Sequence, residues 1–404
     1  MSCAMEKTSE ALRKATRATL LRTCFERARQ HRFYRAFYDG IEDFEKAPPT
    51  GKEVLCEALR DFSPDQEATG LYLVRSGGST REPLVVPVDI AENLRQREQL
   101  AANLVRARIF GPQTVALNIF GYSDLYRSAA IFDDLLERCS ATSLPMSAHA
   151  ADSDLLAMVK RFRPSHLLGT PSRLMLFARY LSAKGLKLHV PNLVYAGEFL
   201  RDTAKVHLRE TVGAEQFWSL YGAAETGIWA WCDASLQPGR FSILSGVAVE
   251  ILSPNADGYG AIAVTNGWRC RFPVFRYRLG DVGRLTWVDG VEVLELLARG
   301  PRSFQFCELK HDLESLNFLV SDAETFQVQL TYRGSGHEEI RLLLVPRPCT
   351  PVSPTDLAER ARSLRDFLQC PESMADVRVE SVSRDRLFID PATAKMPELV
   401  DLRR

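Results

Sequence analysis

No stretch of this 404-residue chain reaches the roughly 18 consecutive apolar residues of a membrane helix; Val115 to Phe120 and Ile340 to Pro346 have strand length and polar neighbours. Net charge is absent as well, with 51 Lys+Arg against 51 Asp+Glu, which removes any global electrostatic basis for binding nucleic acid or an anionic membrane. The nine cysteines form no C-x-x-C pair and the seven histidines are dispersed, so neither a disulfide framework nor a zinc ribbon is expected. Scattered thiols fit a reducing, cytoplasmic setting. No internal repeat or low-complexity segment is present, which excludes solenoids and propellers. The first forty residues are rich in Arg but interrupted by Glu6, Glu10 and Glu26 and carry no apolar h-region, so a solvated amphipathic helix is expected there rather than a targeting peptide.

What remains, at 46% hydrophobic and 25% charged residues, is enough for a sizeable core in two or three domains. From Ser9 to Arg35, Leu12, Ala15, Leu20, Leu21, Cys24 and Ala28 recur at three- and four-residue spacing, the mark of a helix with one buried stripe. Leu71 to Val74 and Leu84 to Val88 read as strands on either side of a Gly/Ser/Thr loop. Helices follow near Asp89 to Arg108, Asp124 to Arg138, Asp152 to Phe162 and Ser172 to Lys184, alternating with strands at Val115 to Phe120, His166 to Gly169 and Leu193 to Tyr195. That alternation predicts a layered α/β domain. Residues 241 to 297 carry short β-rich pieces separated by Gly, Pro and Asp-Gly turns, predicting a small antiparallel subdomain. A boundary near Arg299 to Ser303 then separates residues 1–298 from a final α+β domain, 299–404. Its expected strands are Phe326 to Tyr332, Ile340 to Val345 and Val377 to Val382, with a helix at Pro354 to Leu368.

Three segments carry chemistry. Ser76-Gly77-Gly78-Ser79-Thr80 offers backbone N–H groups and hydroxyls to a polyphosphate, yet lacks the P-loop pattern; taken singly, a turn that binds nothing is the better reading. Tyr221-Gly222-Ala223-Ala224-Glu225 sets an aromatic ring before a glycine and a carboxylate suited to Mg²⁺. Phe275-Arg276-Tyr277-Arg278-Leu279-Gly280-Asp281 ends in an acid able to accept two hydroxyl protons. Each of the last two, taken singly, is matched by a surface turn with a local ion pair.

The order and spacing of these segments, with Thr170-Pro171-Ser172, Ala196-Gly197-Glu198, Arg299 and Thr393-Ala394-Lys395 between and after them, resemble the adenylate-forming superfamily, specifically its phenylacetate-coenzyme A ligase branch. The resemblance covers nearly the whole chain. It implies a large N-terminal domain of layered sheets and helices with a β-rich part, and a small, mobile C-terminal lid. It further implies that a carboxylic acid displaces pyrophosphate from MgATP to give an acyl-adenylate, which a thiol then attacks. By motif, Ser76 to Thr80 would hold the β- and γ-phosphates, and Tyr221, Gly222, Gly197 and Glu198 would line the nucleotide site. Glu225 would ligate Mg²⁺, Asp281 would bind the ribose, Arg299 would mark the hinge, and Lys395 would stabilise charge developing at the α-phosphate. Phe120, Tyr122, Tyr195, Ala196 and Trp218 would line the acid pocket and suit a flat aryl acid.

The chain also departs from the pattern. Arg81 follows the Ser-Thr pair where the branch has Gly, and Pro301 restricts the backbone where an acidic residue is usual near the hinge. The branch's Cys/His zinc cluster lacks its His here, so no zinc is expected, and Cys232 and Cys270 are expected to be buried. Coenzyme A is the expected acceptor, with carrier-protein pantetheine or another nucleophile as alternatives. A degenerate nucleotide-binding relative and an acyl-protein synthetase are the competing readings.

Overall fold

The structure is a computed structural model that describes residues 2–60, 62, 69–75, 84–200, 202–232, 239–297, 303–306, 309–333, 337–348, 352–368, 370, 375–391 and 396–403. The described residues fall into two compact units, 2–297 and 303–403.

The first unit opens with α1 (Ser2–Gln30) and α2 (Lys52–Leu59). Leu21, Cys24 and Ala28 of the expected stripe are buried on α1, together with Phe25, whereas Leu20 is half-buried and Ala15, expected on the same stripe, is exposed. The helix stops at Gln30 rather than Arg35, and the turns after it bury Phe33, Tyr34 and Tyr38 in the same cluster. A hairpin follows, β1 (Leu71–Arg75) against β2 (Val85–Asp89). Asp89 then caps α3 (Ile90–Arg106) by accepting from the Glu92 N–H at 3.0 Å.

From there strands and helices alternate: β3 (Val115–Asn118), α4 (Ser128–Arg138), β4 (Thr142–Pro145), α5 (Asp152–Phe162), β5 (His166–Gly169), α6 (Pro171–Ala183), β6 (Asn192–Ala196), α7 (Asp202–Val212) and β7 (Gln216–Ala223). Helix α4 begins four residues later than the periodicity predicts, because Asp124 and Leu125 adopt left-handed φ values of 48° and 61° that no α-helix accommodates. Its apolar face, Ala129, Phe132, Leu135 and Leu136, packs into the main core, where each large side chain contributes about 1.5–3 kcal/mol.

Antiparallel strands complete the unit: β8 (Gly227–Cys232), β9 (Arg240–Ile243), β10 (Val247–Leu252), β11 (Gly260–Asn266), β12 (Val274–Val288) and β13 (Val291–Leu296). Among the described residues these continue the parallel strands in one eleven-stranded sheet, of order β10-β11-β12-β13-β9-β8-β7-β6-β5-β3-β4. The antiparallel character of 241–297 is as expected, and the strands extend the parallel sheet through the β7–β8 hairpin. The segment Phe275 to Asp281, expected as a turn, is instead part of the long strand β12, paired with β11 at Tyr277 and Arg278 and bulged on either side of them.

The second unit contains the hairpin β14 (Ser303–Phe306) and β15 (Leu309–Asp312), the short helix α8 (Asn317–Val320), β16 (Ala323–Arg333), β17 (His337–Pro346), α9 (Pro354–Leu368), β18 (Ala375–Ser381) and β19 (Leu399–Asp401). Its four-stranded sheet has the order β18-β17-β16-β19, antiparallel at the centre and parallel at both edges. Leu364 and Leu368 of α9 join the core beneath it. Among the described residues, no helix is long and apolar enough to cross a membrane.

Candidate active site

Most of the described candidate residues gather at the carboxyl ends of the parallel strands. Phe120 and Tyr122 follow β3, Thr170 and Ser172 follow β5, Ala196 to Glu198 end or follow β6, and Tyr221 to Glu225 end β7. Strand β3 lies between β4 and β5, so the chain leaves β3 toward one side of the sheet and leaves β5 toward the other. Divergent connections of this kind open a crevice at the strand ends, the usual ligand position in α/β sheets.

The β7–β8 turn is built from the sequence Gly222-Ala223-Ala224-Glu225-Thr226-Gly227. Thr226 donates its N–H to the Ala223 carbonyl at 3.2 Å and accepts the Ala223 N–H on Oγ1 at 3.1 Å. Gly222 is required by space: a Cβ there would lie 2.1 Å from the Gly227 carbonyl oxygen. Behind the turn stands a fully buried amide, Asn266, whose Nδ2 donates to Gln96 Oε1 at 3.2 Å and to the Thr226 carbonyl at 2.8 Å. Gln96 in turn donates to the carbonyls of Thr226 and Ile228. Glu225 therefore projects from a braced turn.

Opposite it, β12 is bulged twice. Between the pairs Ala261–Val282 and Ala263–Arg278, one residue of β11 faces three of β12, and the loosened segment contains Gly280 at φ 83° and Asp281. A second bulge, between the pairs Val264–Tyr277 and Asn266–Val274, contains Arg276 at φ 45°. Arg276 is locked there by both oxygens of Glu250, at 2.9 and 3.0 Å, and by the carbonyls of Phe44 and Ala47, both at 2.8 Å.

The two motifs meet through a reciprocal exchange. The Tyr221 hydroxyl donates to Asp281 Oδ2 at 2.7 Å, and the Tyr277 hydroxyl donates to Glu225 Oε1 at 3.0 Å. Each segment supplies one phenol and one carboxylate. Burial, reinforced by the Glu225 charge, pushes the Tyr277 phenol far above its ordinary pKa, so the hydroxyl stays a donor. The other oxygen of Glu225, Oε2, takes no hydrogen bond among the described residues. A lone, half-buried carboxylate of this kind fits Mg²⁺, which takes one or two protein carboxylates and completes its oxygen shell with phosphates and water. Among the described residues, no cluster of three or more His, Cys, Asp or Glu is placed to hold a metal by itself.

The remaining candidates divide. Glu198 is bound to the start of α6, accepting the Ser172 N–H at 2.8 Å and the Ser172 hydroxyl at 2.7 and 2.8 Å, where the helix dipole favours its charge. Gly197 holds φ 80° at the turn between Ala196 and Glu198. Phe120 is 1% exposed and stacked 4.0 Å from Phe132, and Trp218 is also buried in the core, whereas Tyr122 is 55% exposed. Tyr195 is half-buried, its phenol pushed up to about 12 chiefly by burial and then by Cys232. Ser76, Gly77, Gly78, Ser79, Thr80, Arg81, Arg299, Pro301 and Lys395 lie outside the described residues. The expected burial of Cys232 and Cys270 is corrected: Cys232 is half-buried and Cys270 exposed, on the turn leading into β12 where the Arg27 guanidinium donates to its sulfur at 2.9 Å.

Tyr277 has no role in the sequence pattern, where the flanking Arg276 and Arg278 are the stronger signal. Arg269, which no sequence motif marks, is 5% exposed and lines a pocket with Glu225, Tyr34, Glu92 and Phe272. Its Nη2 donates to Asn93 Oδ1 at 2.8 Å, and burial lowers its pKa.

The chain superposes on 2-hydroxyisobutyryl-CoA ligase, solved in the postadenylation state with 2-HIB-AMP, at a TM-score of 0.72 and 17% identity, covering 97% of this chain and 90% of that one. It has the adenylate-forming fold. The likeness extends to ATP-bound MatB from Rhodopseudomonas palustris, with a TM-score of 0.53, 15% identity and coverage of 80% and 66%. It extends also to the anthranilate CoA ligase AuaEII bound to anthranoyl-AMP, with a TM-score of 0.52, 14% identity and coverage of 80% and 65%. Among curated proteins, the indoleacetate–lysine synthetase of Pseudomonas savastanoi is 28% identical over 142 residues, 35% of this chain. That match spans about a third of the relative, 34% of its length. No family model matches the chain. The adenylate-forming fold thus joins segments that, in sequence, lie 50 or more residues apart, as Tyr221 and Asp281 do.

Proposed function

We propose that the protein activates a small carboxylic acid with ATP and transfers the acyl group to coenzyme A. What supports the reading is the reciprocal Tyr221–Asp281 and Tyr277–Glu225 pairing, which unites two motifs of the adenylate-forming pattern at the strand ends of a fold shared with acyl-CoA ligases.

In this reading the acid's carboxylate oxygen attacks the α-phosphorus of ATP, the bond to the β-phosphate oxygen breaks, and pyrophosphate leaves. The thiolate then attacks the acyl carbon and AMP departs with the carboxylate oxygen. Asp281 would accept the ribose hydroxyls, Tyr221 would pack against the base, and Lys395 would neutralise charge beside the α-phosphate. Glu225 would hold Mg²⁺, which supplies charge neutralisation for the polyphosphate. Residues 299–404 would serve as a lid that turns about Arg299 between the two half-reactions. An aryl or arylacetic acid is the favoured substrate class, in keeping with the anthranilate and indoleacetate named for two of the similar proteins.

The stretch shared with the indoleacetate–lysine synthetase favours a second reading, in which the acceptor is an amine and the product an amide. Both readings are tested by pyrophosphate release from MgATP with benzoic, phenylacetic, indoleacetic, aminobenzoic and short aliphatic acids, each alone, with coenzyme A, and with lysine. Acid-dependent release supports adenylation, and stimulation by one acceptor assigns the second step. Silence across the panel, with EDTA and Mg²⁺ samples indistinguishable, refutes both.

A further inference from the structure

We propose that Tyr277 is a positioning residue for the metal: its hydroxyl holds Glu225 Oε1 so that Oε2 is presented to the metal–nucleotide complex. The proposal rests on the reading of Glu225 as the metal-binding carboxylate.

A glutamate at the tip of a turn has several side-chain torsions to lose on binding a cation, and a fixed donor removes that freedom beforehand. Tyr277 is suited to the task because it is itself immobile. Its side chain is 4% exposed, and the Arg276 bulge beside it is clamped by Glu250 and the Phe44 and Ala47 carbonyls. Thr50 clips the backbone on both sides of it, donating its N–H to the Arg276 carbonyl at 3.0 Å and accepting the Arg278 N–H at 2.8 Å. From the other direction, the Asn266–Gln96 amide pair fixes the turn that carries Glu225. Donor and acceptor are thus each held by separate contacts, and the 3.0 Å bond between them orients the carboxylate. The phenol donates to Glu225 and acts through that carboxylate, as outer-shell donors do for ligating side chains elsewhere.

The test is Mn²⁺ binding, followed by electron paramagnetic resonance in the presence of a non-hydrolysable ATP analogue, on the wild type, Tyr277→Phe, Glu225→Gln and the double variant. Tyr277→Phe should weaken Mn²⁺ by about tenfold to a hundredfold, while leaving the affinity for the analogue in EDTA within about twofold. In the Glu225→Gln background the same change should have no further effect. Unchanged Mn²⁺ affinity in Tyr277→Phe, or losses that multiply in the double variant, would overturn the proposal. A wild type that binds no Mn²⁺–nucleotide would overturn both this proposal and the activity it rests on, whereas wild-type binding with an indifferent Tyr277→Phe overturns this one alone. If Tyr277→Phe does not fold, 3-fluorotyrosine installed at 277 keeps the ring and hydroxyl. Its ¹⁹F resonance should broaden beyond detection when the Mn²⁺–nucleotide binds, and a resonance that stays sharp would refute the assignment.

Discussion

The glycine before the β7–β8 turn gives the sharpest quantitative test of the site. In Gly222→Ala the new methyl would lie 2.1 Å from the Gly227 carbonyl oxygen, 2.7 Å from the Ile228 Cα and 2.8 Å from the Gly227 carbonyl carbon. All three are backbone atoms of the paired strand, so no rotamer change relieves the clash. Overpacking ordinarily costs 1–3 kcal/mol where side chains can yield; with only backbone to move, about 3 kcal/mol or more is expected. At an unfolding entropy of about 2.1 cal/mol/K per residue, a unit of about 300 residues loses roughly 1.6 °C per kcal/mol, so the melting temperature should fall by about 5 °C or more. Two other glycines separate space from backbone conformation. Gly280 has φ 83° and nothing within 4 Å of its added Cβ, so Gly280→Ala pays only the left-handed penalty of about 1–2 kcal/mol. Gly111 has neither constraint, and Gly111→Ala should be neutral. Thermal and urea melts of the three variants should give the order Gly222, Gly280, Gly111 in lost stability. A Gly222→Ala protein melting within about 2 °C of the wild type would show that the β7–β8 turn is not closed as described.

Three further outcomes are expected. Removing the carboxylate that caps α6 should cost about 2 kcal/mol in Glu198→Ala and about 1 in Glu198→Gln by urea denaturation, and neutrality of both would contradict the cap. His166, whose ring burial pushes its pKa down to about 4, binds a proton more readily unfolded than folded, so stability falls as pH drops from about 6.5 towards 4. Between pH 7 and pH 5 this group accounts for about 2 kcal/mol, and His166→Asn should flatten that part of the urea profile; parallel profiles would remove the assignment. Exposed Cys56 and Cys270 should be alkylated before Cys24 and Cys139, whose thiols burial pushes up to about 11, and peptide mapping that finds the reverse order would contradict the described packing.

Legibility in the sequence followed the range of the physics. The C-terminal part of the α1 stripe and most of the strand–helix alternation from Val115 to Ala196 are readable because periodicity is local, whereas the four-residue β4 is too short to show one and went unpredicted. Helix α4 was misjudged at its start because the left-handed turn at Asp124 and Leu125 leaves no mark in hydrophobic spacing. The motif ending in Asp281 was read as a turn because its Gly and charged residues favour one, while the partner that makes it a strand, β11, is supplied by pairing across the sheet. Aromatic residues were the least legible. Phe120 and Tyr122, two positions apart, end as a fully buried core ring and an exposed one.

By itself, the amino-acid order determined the α/β class, the antiparallel run at 241–297 and the two carboxylate motifs, since each is written in neighbouring residues. Only the tertiary structure decided that Tyr221 meets Asp281 across 60 residues, that Tyr277 meets Glu225 across 52, and that Glu198 closes on a helix end. The physical reason is that a hydrogen bond depends on position in space to a few tenths of an ångström. Those positions are set by sheet register and by two bulges in β12, whose effects accumulate over the whole sheet.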